Sequence, residues 1–301
     1  MTISGEVPYH LLVGARTGFL ATAQPNVPIT TPIASEIQMG AKSIDLVDIG
    51  GAPMPSRNKG RTTVKQFIEK KLTVTPLDWD ITVGMSYNAV NDDQTGGSLQ
   101  SKARAAGSNF RLDMAQKAFQ ALNDGDATTN FGACYDGGAF YANSHIDAGA
   151  AYQTGQDNLD SLALSLTNFE TVRVKAMTAR DDQGNFVDYG HDLLVVSPAD
   201  ERAAAQICNN REDSTTANRA INPYAGKVNY VVSNQFDSGA WVLVASSAPV
   251  KPILIVVREQ PNLQAAWFDP NGPDGGMYYF KFYARYNHFY SDWRLAFMGK
   301  S

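Results

Sequence analysis

The residues best able to do chemistry stand together near the middle of the chain. Cys134-Tyr135-Asp136-Gly137-Gly138 is followed by Asn143-Ser144-His145-Ile146-Asp147, which brings a thiol, an imidazole and carboxylates into one stretch. An imidazole that removes the thiol proton would make Cys134 a nucleophile, the arrangement of a thiol hydrolase built on Cys134 and His145. Residue types alone do not make a site, and a Cys and a His this close occur in many inert chains, so the structural reading of the pair is preferred. Asp124-Gly125-Asp126 opens like a calcium loop, but Thr129 stands where the loop needs Gly and Tyr135 where it needs Glu, which leaves a polar turn. His10, His145, His191 and His288 lie far apart, with no pair at the spacing that places two ligands on one helix face. Neither a phosphate-cradling glycine loop nor a GxSxG elbow is present. No catalytic, cofactor-binding or metal-binding residue is therefore assigned.

The elements that would position any site are legible in part. Residues 77–89 alternate Leu77, Trp79, Ile81, Val83, Met85, Tyr87 and Ala89 with Asp78, Asp80, Thr82, Gly84, Ser86 and Asn88, the pattern of a two-faced strand. At roughly 3.3 Å per residue it would run for about 40 Å, long enough to leave the body of a domain as one arm of a hairpin. Residues 64–74 are the expected partner arm. The loop 53–61 carries Arg57, Lys59 and Arg61 among Pro and Gly, either as a solvated loop or as a basic tip that meets an acidic surface. Leu99, Ala103, Ala106, Phe110, Met114, Ala118 and Leu122 then recur at helical steps, predicting one long helix over 93–122 that ends at Asn123-Asp124-Gly125. Gly107 in its middle needs a packing reason.

Ahead of these, residues 1–60 hold Pro8, Pro25, Pro28, Pro32, Pro53 and Pro55 with no lasting apolar period. That reads as an extended arm ordered by another surface, or as a loose terminus. After residue 158 the pattern changes to alternating elements: helices over 161–179 and 199–209, and strands at 192–197, 229–233, 241–245 and 253–258. A closing strand over 277–290 sets Phe280, Phe282, Ala284 and Tyr286 on one face and Tyr279, Lys281, Tyr283 and Arg285 on the other. A half-buried sheet explains that alternation better than a platform for nucleic-acid bases. The whole is an α+β chain.

Composition sets limits on partners. Lys+Arg 25 against Asp+Glu 30 gives a net charge of −5, so no general attraction to nucleic acid or to an anionic membrane is expected. No apolar run of membrane-spanning length and no secretion signal is seen, which predicts a soluble, cytosolic chain. The two cysteines, Cys134 and Cys208, are too far apart in sequence to suggest a thiolate zinc site, and two do not make a disulfide framework. Hydrophobic residues at 44% with charged residues at 18% imply much buried surface, some of it between subunits.

The order of motifs then carries a resemblance. "WDITVGMSYNAVNDDQTGG" at 79–97, the long helix, "YDGGAFYANSH" at 135–145, "HDLLVVSP" at 191–198, "WVLVAS" at 241–246, "KPILIVVREQP" at 251–261 and "YARYNHFYSDWRLAF" at 283–297 together resemble the Mu-type major head subunits of tailed bacteriophages. The resemblance implies the Hong Kong 97 phage capsid fold, with an N-terminal arm over 1–45 and an extended hairpin loop over 46–90. A peripheral domain over 91–157 and 259–301, built on a long spine helix, and an axial domain over 158–258 complete it. It further implies a structural protein, not an enzyme. Copies of the chain would form hexamers and pentamers of an icosahedral head around double-stranded DNA, assembled in the host cytoplasm and carried in the virion. Expected partners are the chain itself, scaffold, portal and cement or decoration proteins, and a weak non-specific contact with DNA; no cofactor or membrane is implied. Arg57, Lys59, Arg61, Asp78, Trp79 and Asp80 are the expected assembly contacts. An encapsulin-like compartment that holds cargo enzymes is the rival within the fold, and a minor decoration or tail protein is a further rival.

Overall fold

The computed structural model describes residues 7–23, 32–49, 69–92, 97–146, 152, 154–212, 221–273 and 275–301. In chain order the elements are α1 (Tyr9–Ala23), β1 (Ala34–Gln38), β2 (Ile44–Ile49), β3 (Glu69–Val74), β4 (Leu77–Ser86), α2 (Tyr87–Asp92) and α3 (Gly97–Asn123). They continue with β5 (Leu159–Asp160), α4 (Leu166–Thr178), β6 (Leu193–Val196), α5 (Glu201–Asn209), β7 (Asn229–Val232) and β8 (Ala240–Val244). The chain closes with β9 (Ile253–Asp269), β10 (Met277–Tyr290) and β11 (Ala296–Lys300).

Two sheets carry the fold. The first has the order β1-β9-β10-β4, with β1 parallel to β9 and the other pairs antiparallel. The side chains of Phe280, Phe282, Ala284 and Tyr286 on β10 are fully buried, as the two-residue period requires, and α1 and α3 lie over that face. Phe19 of α1 stacks on Phe282 at 4.2 Å between ring centroids and meets Phe110 of α3 edge-on at 5.8 Å. The second sheet has the order β5-β11-β8-β6-β7 and mixes parallel and antiparallel pairs. Every residue of β6 and β8 is buried, which is why both read as unbroken apolar runs. α4 packs against β11, and α5 against β6 and β7. A third pair, β2 with β3, is an antiparallel ribbon.

Four sequence expectations are corrected. The first stretch is not extended throughout: residues 9–23 form α1, whose Leu11, Ala15, Phe19 and Ala23 are buried. Its prolines fall outside the helix, and tertiary packing on α3 supplies the order that local pattern does not show. Next, β4 ends at Ser86 and its partner is β10, while residues 69–74 pair with β2. The long alternation belongs to a sheet body, and the ribbon is built one strand earlier. Third, β9 runs well past residue 258, through Pro261. Pro261 lacks an amide hydrogen, and the register against β10 shifts between Tyr283↔Asn262 and Arg285↔Glu259, so the proline sits in a bulge where no ladder bond is sacrificed. Finally, the helix expected from 161 begins at Leu166, because Ser165 in extended conformation accepts from the Asn168 amide at 3.2 Å and caps it.

Packing against the sheet creates one pH-sensitive position. His288 on β10 is buried and its Nε2–H donates to the Met114 carbonyl at 2.9 Å. Burial pushes its pKa from 6.5 down to about 4, with the Lys117 charge acting in the same direction. Below pH 6.5 the unfolded chain binds a proton that the folded chain refuses, so stability should fall between about pH 6.5 and pH 4 and be level above that window. The full effect is roughly 3 kcal/mol. Denaturant midpoints measured across that window should fall less in His288→Gln than in the parent chain; parallel curves would contradict the assignment.

Candidate assembly interface

The strand β4 is the outermost of its sheet, so one side of its backbone has no ladder partner among the described residues. An open edge of this length is a pairing liability that native chains cover or charge. Its two faces are used differently. Trp79 turns inward: its Nε1–H donates to the Tyr286 carbonyl at 2.9 Å and its ring stacks on Tyr286 at 5.6 Å. Lys117 of α3 lies 3.3 Å above the indole centroid, held by Asp113, which also accepts from the Tyr286 hydroxyl. That hydrogen bond and, above all, burial push the Tyr286 phenol far above its ordinary pKa, so it remains a donor.

Asp78 and Asp80 point the other way, with side chains 61% and 52% exposed. Arg285 Nε lies 2.5 Å from Asp78 Oδ1, and Lys281 Nζ lies 3.8 Å from Asp80 Oδ2. Exposed pairs of this kind are worth about 1 kcal/mol or less, so the carboxylates are available to a better partner. Of the six expected contact residues, the structure thus places Trp79 inside the subunit and Asp78 and Asp80 on its surface. Arg57, Lys59 and Arg61 lie outside the described residues. The ribbon that leads toward them is tied at its base by Lys71 and Asp45, 2.8 Å apart.

The thiol and imidazole are separated by their partners. Cys134 is buried and its Sγ–H donates to the Ser291 carbonyl at 3.4 Å. Burial first, then the nearby Asp136 and Asp292 charges, push its pKa well up, the opposite of an activated nucleophile. His145 is held elsewhere: Nδ1 lies 2.6 Å from Asp136 Oδ2, Nε2–H donates to Asn158 Oδ1 at 3.0 Å, and the ring stacks on Trp293 at 4.3 Å. Both ring nitrogens are occupied by oxygens, so the imidazole acts as a tie between segments. Cys134→Ala should leave particle assembly intact and lower stability by about 1 kcal/mol, as expected for one small buried group; failure to assemble with normal folding would contradict this.

The calcium-like turn is likewise structural. Asp124 accepts from Asn123 at 2.8 Å and Asn130 at 3.0 Å, and Asp126 is paired with Lys300 at 2.9 Å. Among the described residues no three His, Cys, Asp or Glu side chains are grouped to hold a metal ion, and no described helix is long and apolar enough to cross a membrane. The feature that sequence reasoning misses is Asn158, a fully buried amide beside the start of β11. Nothing in its local sequence marks it.

Comparison with known proteins decides the family. The family model described as phage capsid protein matches residues 69–289, most of the chain. The chain belongs to the phage capsid protein family. No curated protein matches it. Among solved structures, this capsid protein is similar to the procapsid of bacteriophage JBD30, with TM-score 0.55 at 17% identity over 98% of this chain and 76% of that one. A virus-like particle from Pyrococcus furiosus gives TM-score 0.55 at 13% identity, covering 98% and 100%. The capsid of a native GTA particle gives 0.54 at 14%, covering 92% of each. The capsid protein has the Hong Kong 97 fold, and its family assigns it a structural role in a phage capsid. Self-association follows, since a shell is made of many copies.

Proposed function

We propose that this capsid protein is of the Mu type and builds hexamers and pentamers of a closed icosahedral head around double-stranded DNA, assembled in the host cytoplasm. The observation that carries the contact model is the open β4 edge, which displays Asp78 and Asp80 in a chain whose segment between β2 and β3 holds Arg57, Lys59 and Arg61. The basic segment of one copy lies against the acidic edge of its neighbour, and the two charge sets fix register more than they add affinity. In this reading residues 1–45 are the arm, the hairpin loop runs from 46 to the end of β3, β4 passes to the peripheral domain with 91–157 and 259–301, and 158–258 are the axial domain. Scaffold, portal and cement or decoration proteins complete the partners.

The contact has a direct test by sedimentation velocity. Asp78→Lys with Asp80→Lys should abolish particles while the subunit stays folded, and adding Arg57→Glu, Lys59→Glu and Arg61→Glu in the same chain should restore them. Normal particle yield from the first variant would overturn the contact. The rival compartment role, with enclosed cargo enzymes in place of DNA, is separated by the contents of particles purified from the natural source.

A further inference from the structure

An asparagine can modify itself. The backbone nitrogen of the next residue attacks the side-chain carbonyl carbon, a five-membered succinimide closes and ammonia leaves; water then opens the ring. The reaction is intramolecular, so its rate is set by how readily the two groups reach one another. A side chain on the following residue crowds the attack, a firm hydrogen bond on either group opposes it, and burial withholds the water.

Asn271 escapes all three restraints. It is the only Asn in the chain that is followed by Gly. It is exposed, in the turn between the end of β9 at Asp269 and the start of β10 at Met277. Its backbone N–H donates to Asp269 Oδ1 at 3.0 Å, while its side-chain amide makes no hydrogen bond to the described residues. The attacking group is loosely held as well: the Gly272 N–H donates to the Asp269 carbonyl at 3.3 Å, at the long end for such a bond. Other asparagines are better guarded. Asn123 and Asn158 are buried, with both the nitrogen and the oxygen of each amide bonded. Asn143 is exposed, yet the side chain of Ser144 follows it.

We infer that Asn271 is a site of spontaneous deamidation, and that the change loosens the corner where β4 passes into α2. The Gly272 nitrogen gives up its proton and bonds to Asn271 Cγ, the Cγ–Nδ2 bond breaks, and Nδ2 leaves as ammonia with that proton. Water then cleaves one of the two ring C–N bonds. Cleavage at Cγ gives aspartate; cleavage at the main-chain carbonyl gives isoaspartate, whose backbone runs through Cβ and is one atom longer. The net change is amide plus water to carboxylate plus ammonium, with nothing oxidised or reduced.

The turn has no slack for the extra atom. A Cβ at Gly272 would already lie 2.7 Å from Met277 Cγ and 3.0 Å from the Met277 nitrogen. The same turn holds the β4–α2 corner: the Tyr87 N–H donates to the Gly276 carbonyl at 2.8 Å, and the Tyr87 ring lies 6.1 Å from that of Phe268 and 6.3 Å from that of Tyr278. Lengthening the turn pulls on these contacts, and either product sets a new carboxylate beside Asp269. Because the reaction needs only water, the altered fraction grows with the age of the protein.

The test ages the full chain in mildly alkaline buffer, digests samples over time and reads them by mass spectrometry, with isoaspartate counted by its enzymatic methylation. The peptide that holds Asn271 should convert several-fold faster than the one that holds Asn143, and should yield isoaspartate as well as aspartate. Conversion at this position should be lost in Asn271→Gln, whose side chain would have to close a six-membered ring. Hydrogen exchange at the Tyr87 amide should be faster in the aged parent than in the fresh one, and unchanged by ageing in Asn271→Gln. An Asn271 that converts no faster than Asn143 overturns the site. Conversion that leaves exchange at Tyr87 unchanged overturns the loosening, and so does equal acceleration in aged Asn271→Gln.

Discussion

Asn158→Leu is expected to prevent the chain from reaching a stable native state. The side chain is fully buried, and its amide ties together three segments. Nδ2 donates to the carbonyls of Phe140 at 2.9 Å, Trp293 at 3.2 Å and Ala296 at 3.1 Å. Oδ1 accepts from the Ala142 amide at 2.9 Å and from His145 Nε2–H at 3.0 Å. Leucine has nearly the same size and offers none of these bonds. Each buried group left without a partner costs about 1–3 kcal/mol, and several at once rival the roughly 5–15 kcal/mol that typically holds a domain together. The variant should be insoluble or lack a cooperative unfolding transition, and it should form no particles. A denaturant midpoint close to that of the parent would contradict this.

Gly107→Val should have the second-largest effect, by forcing α1 away from α3. A Cβ at residue 107 would stand 2.5 Å from both the Phe19 carbonyl oxygen and Thr22 Oγ1, and 3.1 Å from the Ala23 amide nitrogen. Two of these are backbone atoms of α1 that cannot turn aside, and Thr22 Oγ1 is itself fixed by donating to the Arg104 carbonyl at 2.7 Å. Gly18 makes the matching approach from the other helix, where a Cβ would lie 2.8 Å from the Gln100 carbonyl oxygen. An exposed helix would gain about 1 kcal/mol from replacing Gly107 with alanine. Here overpacking reverses the sign, and valine should cost roughly 3 kcal/mol or more as buried Leu11, Ala15 and Phe19 are levered off the core. Limited proteolysis should cut α1 faster in the variant than in the parent. Unchanged unfolding and unchanged cleavage would show that the two helices do not approach closely.

Where one period dominates, the sequence is readable. The alternation over 277–290 matches β10, and the three- and four-residue steps of Leu99, Ala103, Ala106 and Phe110 match α3 within a turn of its start. The close approach of α1 supplies the packing reason that Gly107 needs. Strand partners are not readable, because period two says which face is buried and nothing about which neighbour supplies the ladder. That is why residues 69–74 pair with β2 where the pattern suggests β4. α1 is hidden for a related reason: its helix is held by Phe110 and Phe282, far away in the chain. The Cys134 and His145 motif shows the converse. Its residues lie near one another in sequence, yet Ser291, Asp136 and Asn158 hold them in separate structural roles.

Assembly itself rests on one physical claim, that the β4 edge and the β2–β3 ribbon are completed by neighbouring copies. Electron microscopy of the purified chain addresses it most directly. Closed shells of uniform diameter, in which the ribbon of each subunit lies against the next, are expected. A monodisperse, well-folded monomer, with the ribbon packed back on its own body and the β4 edge covered from within, would contradict it.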